Sequence, residues 1–87
     1  MKMLDLMFDS LYKQEKMFGQ DSVEVAKTCF LIGVVFMDEN LPDSAMKYFQ
    51  RSLEIRVNYF MPGSKEILEV VNAINVAQTE INKGEGK

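Results

Sequence analysis

The chain has 87 residues, of which 47% are hydrophobic and 26% charged, and its net charge is −3. This is the composition of one small globular domain. The negative charge argues against a nucleic-acid groove and an anionic membrane surface as partners, since both favour clustered Lys and Arg. The sequence contains a single cysteine, Cys29, so a disulfide within the chain is impossible, which fits a reducing, cytoplasmic location.

Catalytic and metal-binding residues are not indicated by the sequence. The chain has no histidine, so the usual triads and zinc sites are missing. Cys29 is either a nucleophile or, as we favour, a small buried hydrophobe. The pair Asp38-Glu39 is either part of a metal site or, as we favour, an exposed acidic turn. We therefore expect no catalytic residue, no metal and no cofactor.

The longest apolar run, residues 29–37, is too short for a bilayer, which needs about 20 residues.

A first helix is predicted over residues 2–17. Leu4, Met7 and Leu11 recur at helical spacing, and Asp9 and Lys13 are spaced for a surface ion pair. The start of the chain is rich in methionine, which suits either an adaptable binding face or plain core filling. These methionines are Met1, Met3, Met7 and Met17.

A second helix is predicted over residues 23–38. The stretch Asp21-Ser22-Val23-Glu24 places a capping oxygen three residues before a glutamate, which is typical of a helix start. Residues 30–36 are rich in β-branched and aromatic side chains and would suit a strand if taken alone. Because they lie inside a longer capped segment, we expect a helix instead.

Two further helices are predicted, over residues 43–60 and 65–82. Pro42 follows a turn at Asn40-Leu41 and suits the first position of a helix, where its missing N–H is not needed. Pro62-Gly63-Ser64 forms the next break. Gly84 is expected to end the last helix, with a flexible tail over residues 84–87. The four helices make one domain, residues 1–87.

Part of the sequence recurs after 42 residues, and a fixed period of this size is typical of stacked repeats. The first predicted helix corresponds to the third, and the second to the fourth. The recurring pairs are Phe18 with Phe60, Ser22 with Ser64, Glu24 with Glu66, Ile32 with Ile74, Ser10 with Ser52, and Leu11 with Leu53.

The residues between the loops at 18–22 and 60–64 resemble the tetratricopeptide repeat, in particular the longer variant found in kinesin light chains. The matching positions are Val25-Ala26, Ile32-Gly33, Phe36, Ser44-Ala45, Phe49, Arg51, Leu53 and Ile55-Arg56. The resemblance covers nearly the whole chain. It implies an all-α fold in which antiparallel helical hairpins, about four helices in all, stack as a short α-solenoid.

The resemblance also implies a concave groove that receives peptides and is lined by the first helix of each repeat. Gly33 takes the small-residue position at which two helices approach closely. Asn72 matches the first of two asparagines that hold a peptide backbone in the kinesin-light-chain pattern, but Ala73 replaces the second. In the earlier repeat Phe30 and Leu31 take both positions, which implies an apolar groove. The implied groove residues are Lys27, Phe30, Val34 and Met37 in the second helix and Glu69, Asn72, Val76 and Thr79 in the fourth.

Both ends of the implied array lack a neighbouring helix. Solenoids usually close such ends with a polar cap, and here the end helices carry apolar residues instead. We therefore expect partner-binding surfaces at the open ends, formed by Leu4, Met7, Phe8, Leu11, Tyr12, Val70 and Ile81.

These features predict a non-enzymatic protein–protein interaction or scaffold module. Its partner would be another protein or peptide, and the chain would work as a homo-oligomer or as a subunit of a larger complex. Two alternatives stay open. One is a structural subunit, or a fragment, of a larger multiprotein assembly. The other is a regulatory domain that senses a peptide or a small ligand.

Overall fold

The structure, a computed structural model, describes residues 2–85 and confirms an all-α protein with four helices. They are α1 (Lys2–Phe18), α2 (Val23–Asp38), α3 (Pro42–Arg56) and α4 (Lys65–Glu85). Residues 2–85 contain no strand, so the β-rich run in α2 is helical as predicted. None of these helices is both long enough and apolar enough to cross a bilayer.

Helices α2 and α4, which correspond to each other across the 42-residue period, begin with the same type of cap, a serine side chain. Ser22 Oγ accepts a hydrogen bond from the N–H of Val25 at 3.2 Å, and Ser64 Oγ accepts one from the N–H of Ile67 at 3.3 Å. Each serine thereby satisfies one of the free N–H groups of a first helical turn. The cap of α2 is therefore Ser22 and not Asp21, so Glu24 lies one residue before the position that would complete a capping box.

The third helix begins as predicted and ends earlier than predicted. Pro42 lies at its first turn, after Asn40 turns the chain with a φ of 62°. The helix ends at Arg56 rather than near residue 60. Its last hydrogen bonds tighten to i−3 spacing, as in the bond from Asn58 N to Ile55 O, and the Asn58 side chain donates to the carbonyl of Glu54.

The fourth helix runs past Gly84 to Glu85, so the expected helix end at Gly84 is wrong. Gly84 does not have the positive φ of a glycine that ends a helix, unlike the loop residues Gly19 and Gly63. The remaining residues of the predicted tail, 86–87, lie outside the described residues.

Each helix packs mainly on its neighbours in sequence, α1 on α2, α2 on α3 and α3 on α4. The arrangement is flattened, with extents of 44 × 34 × 15 Å. Its radius of gyration of 13.1 Å exceeds the roughly 12 Å of a compact chain of this length. The four helices therefore form a layered array in chain order.

Two hydrophobic cores lie between these helices. The first joins α1, α2 and α3, and the second joins α2, α3 and α4, so α2 and α3 contribute to both. The first core contains Leu4, Leu11, Val25, Ala26, Cys29, Ile32 and Ile55. The second contains Ala45, Met46, Phe49, Val70 and Ala77.

Helices α2 and α3 are in close contact at two small residues, Gly33 and Ser52. A β-carbon at Gly33 would lie 2.6 Å from Phe49 Cδ1 and would overlap Cε1 as well, so only glycine fits there. Nearby, the buried hydroxyl of Ser52, three residues after Phe49, donates to the carbonyl of Ala26 at 2.8 Å. The predicted close approach at Gly33 is confirmed.

Cys29 is fully buried in the first core, which gives a test of this part of the fold. Burial raises the pKa of its thiol above the ordinary 9.0, more than the nearby Arg51 guanidinium lowers it. We therefore expect Cys29 to resist iodoacetamide at about pH 8 in the folded chain, because the reactive species is the exposed thiolate. Mass spectrometry of the labelled protein measures this, with the urea-unfolded chain as the positive control.

The same burial predicts a pH dependence of stability. Above pH 9.0 the thiol of the unfolded chain releases its proton while the folded chain keeps it. The contribution of Cys29 to the free energy of unfolding is therefore complete below pH 9.0 and is lost as the pH rises towards the folded-state pKa. A Cys29→Ala variant should lack this component. Rapid labelling of the folded chain would contradict the burial of Cys29.

Candidate functional site

An open cleft lies where α2, the end of α3 and the start of α4 meet. Its volume is about 480 Å³. Three of the eight predicted groove residues line it, namely Lys27, Phe30 and Glu69. The full lining is Val23, Lys27, Phe30 and Leu31 from α2, Arg56 and Phe60 at the end of α3 and after it, and Lys65, Glu66 and Glu69 from α4.

The residue that organises this cleft is Arg56, which is only 6% exposed. Its Nη1 donates to the carbonyl oxygen of Glu66 at 2.8 Å and to Glu69 Oε1 at 3.0 Å. Its guanidinium carbon lies 5.1 Å from the centre of the Phe30 ring, which places the cation over an aromatic face. One side chain thereby joins the last turn of α3 to the first turns of α4 and to α2.

The sequence analysis treated Arg56 only as part of the repeat pattern and missed its position in the cleft. A signal for it was present. Ala45, Phe49, Ser52 and Arg56 follow one another at helical spacing, and all four are buried in the structure. A charged residue that continues a buried stripe needs partners that replace water, and its partners here come from α4 and α2.

The other predicted groove residues do not lie in the cleft. Val34 and Met37 are half-buried and pack on the second core. Asn72, Val76 and Thr79 are exposed, and the Thr79 hydroxyl donates to the carbonyl of Asn75 in its own helix. Residues of α2 and α4 that are 42 positions apart therefore have different surroundings. The reason is that α2 packs on two helices and α4 mainly on one.

The residues expected at open ends are mostly covered by the chain itself. Leu4, Leu11 and Val70 are buried, so the expectation that they are uncovered is wrong. Met7, Phe8 and Ile81 are half-buried and pack against the two cores. Tyr12 alone of the seven is exposed. The physical reason is that α1 turns its main apolar stripe onto α2, and α4 turns its own onto α3.

A second set of polar contacts, which is partly buried, joins α1 to α2 and α3. Arg51 Nη2 lies 2.5 Å from Glu15 Oε2 and 3.3 Å from the carbonyl oxygen of Gln20, so it joins α3 to the end of α1 and the following loop. The Thr28 hydroxyl donates to Gln14 Oε1, which joins α2 to α1. Within residues 2–85 no three Cys, Asp or Glu side chains are placed to hold a metal ion.

The fold and the cleft define an all-α protein in which four helices pack in chain order. Comparison of the chain with protein-family models, with curated proteins and with solved structures finds no match. The functional argument therefore starts from the cleft.

Proposed function

We propose that the chain is a cytoplasmic, non-enzymatic protein-interaction module of the tetratricopeptide kind, which receives a segment of another protein in the cleft between α2 and α4. The observation that carries the proposal is the cleft itself. Its floor is fixed by Arg56, and its walls expose apolar side chains, Val23 and Leu31, next to the charged side chains of Lys27 and Lys65. Exposed apolar side chains bordered by charged ones are the usual make-up of a protein-binding surface.

Two features support the repeat architecture on which this proposal draws. The caps at Ser22 and Ser64 begin corresponding helices 42 residues apart. The close contact of Gly33 with Phe49 joins the helices of one hairpin at the position where the repeat pattern has a small residue. Both features agree with a stack of helical hairpins, in which grooves between successive hairpins are the usual binding surfaces.

The proposal is tested by selecting binders from a displayed library of random peptides and measuring their affinity for three proteins. These are the wild type, Leu31→Asn and a matched control, Leu6→Asn. Leu31 is 44% exposed in the cleft, whereas Leu6 is 66% exposed on α1 outside it. We expect Leu31→Asn to weaken binding roughly tenfold, as for a side chain at the centre of an interface, and Leu6→Asn to leave it unchanged.

Two results would contradict the proposal, namely a library that yields no binder, or binders that tolerate Leu31→Asn as well as the control. Phe30 is unsuitable for this test, although it lines the cleft. Its ring packs 5.5 Å from that of Phe49 and under Arg56, so its removal would disturb the fold as well as the cleft.

A second candidate function, a subunit of a larger assembly, is favoured by the outer face of α4. Leu68 and Val76 are exposed there beside uncharged polar side chains. These neighbours are Asn72, Asn75 and Thr79. The charged residues Lys65, Glu69 and Lys83 lie at the ends and edge of this patch, so its middle can meet an identical patch without repulsion between like charges. Sedimentation velocity over a range of concentrations tests this candidate, with a Leu68→Lys, Val76→Lys variant expected to sediment as a monomer.

A further inference from the structure

The guanidinium of Arg56 is engaged through one nitrogen. Its hydrogen bonds to described residues, to the carbonyl of Glu66 and the carboxylate of Glu69, both start from Nη1. In the part of the chain that the structure describes, every buried side-chain nitrogen and oxygen has a hydrogen-bond partner. The Nε and Nη2 atoms of Arg56, which bond to no residue of that part, are therefore not fully buried, and Arg56 lines the cleft.

The charged side chains that line the cleft give it a positive net charge, although the net charge of the whole chain is −3. Lys27 and Lys65 are exposed at the cleft, and neither forms an ion pair with any of residues 2–84. Of the two carboxylates in the lining, that of Glu69 is already paired with Arg56. The lining thus holds three cations, Lys27, Lys65 and Arg56, and two carboxylates, so its net charge is +1.

The chemistry of the free guanidinium edge restricts the class of ligand further. The N–H groups of Nε and Nη2 are parallel and match the two oxygens of a carboxylate or a phosphate. Glu66 and Glu69 repel a doubly charged phosphate more strongly than a singly charged carboxylate. Phe30, Leu31 and Phe60 offer apolar surface in the same cleft.

We infer that the cleft is a binding site for an apolar monocarboxylate, a carboxylate group carried on a small hydrophobic body. The carboxylate pairs with the Nε and Nη2 edge of Arg56, with Lys27 and Lys65 close by, and the hydrophobic body lies against Phe30 and Phe60. The volume of about 480 Å³ is large enough for a body the size of one amino-acid side chain or a short organic acid. The inference rests on the proposed function, since such an acid would occupy the same cleft as the protein partner.

Nuclear magnetic resonance of the ¹⁵N-labelled wild type tests the inference directly. The probes are 3-phenylpropionate and its amide, which differ in the carboxylate alone. We expect the acid to shift the Nε–H signal of Arg56 and to bind roughly tenfold more tightly than the amide, as the loss of a charge-assisted hydrogen bond implies. Equal binding of the acid and its amide, or an Arg56 signal that neither 3-phenylpropionate nor N-acetylphenylalanine shifts, would overturn the inference.

N-acetylphenylalanine separates the two sources of such a ligand. If it binds and 3-phenylpropionate does not, the natural ligand is the end of a peptide chain. If both bind, a small organic acid is sufficient. Both results support recognition of an apolar monocarboxylate.

Variants add a second measurement. Lys27→Gln is expected to weaken acid binding about threefold through loss of a nearby charge, and the matched control Lys47→Gln, outside the cleft, to leave it unchanged. Equal effects of the two variants would count against the site.

Failure of this inference is distinguishable from failure of the proposed function. Library peptides that depend on Leu31 but show no carboxylate preference would contradict the inference alone, whereas acid binding without any selected peptide would contradict the proposed function alone.

Discussion

Replacing Gly33 with leucine is expected to lower the free energy of unfolding by about 3 kcal/mol, the upper part of the range for an overpacked core. The reason is the contact with Phe49, which is 2% exposed and whose Cδ1 lies 2.6 Å from the position of a β-carbon at residue 33. A leucine side chain fits only if α2 and α3 separate, and this separation would disturb both cores, since both helices contribute to each. Urea denaturation followed by circular dichroism gives the free energy of unfolding.

Gly84→Ala is the matched control for this variant. Gly84 is also helical, but a β-carbon there meets nothing within 4 Å. Alanine should therefore raise stability by up to about 1 kcal/mol through helix propensity alone. Gly33→Leu with an unchanged denaturation midpoint would mean that α2 and α3 are not in close contact at this point.

The second large effect is expected at Arg56. Arg56→Met keeps an apolar stem of similar length but removes the hydrogen bonds to Glu66 and Glu69 and the cation over Phe30. We expect a loss of about 2–3 kcal/mol, the range for hydrogen bonds from a charged donor in a buried position. The carbonyl of Glu66 loses its side-chain donor, while the carboxylate of Glu69 can turn to water because its side chain is 54% exposed.

The exposure of Glu69 predicts a marked asymmetry between the two partners of this ion pair. Glu69→Gln keeps a hydrogen-bond acceptor at the cleft, so its effect on the free energy of unfolding should stay below about 1 kcal/mol. The comparison of the two variants by thermal and urea denaturation measures the asymmetry. Similar losses for Arg56→Met and Glu69→Gln would show that the pair, and not the buried arginine, stabilises this region.

The sequence was sufficient for the features that depend on neighbours along the chain. The existence of four helices follows from apolar spacing and from the breaks at Asn40 and Pro62, and the glycine at position 33 marks the close contact. The end of α3 was harder to predict, because it depends on a local change of hydrogen-bond pattern and on the Asn58 side chain. Nothing in the local sequence at Gly84 distinguishes a helix end from a continuing helix.

The site could be predicted only in part, because it depends on contacts between helices far apart in sequence. The resemblance to the tetratricopeptide repeat implied that Lys27 and Phe30 lie on the groove side of α2, and the period added Glu69, and all three line the cleft. The period could not show that Val34 lies in a core while Val76 is exposed, since this depends on which helices cover each face. For the same reason the period did not predict the burial of the apolar stripes of the end helices.

The division of the interior into two cores has a consequence for how the protein moves. Helix α1 contributes to the first core only and α4 to the second only, whereas α2 and α3 contribute to both. Detachment of α1 therefore leaves the second core intact, and detachment of α4 leaves the first intact, so each end has its own partial opening. The opening of α4 carries away Glu66 and Glu69 and dismantles the cleft, while the opening of α1 spares it. A bound ligand would thus slow amide exchange in α4 and leave exchange in α1 nearly unchanged, so the two ends of one small domain report separately on what the cleft holds.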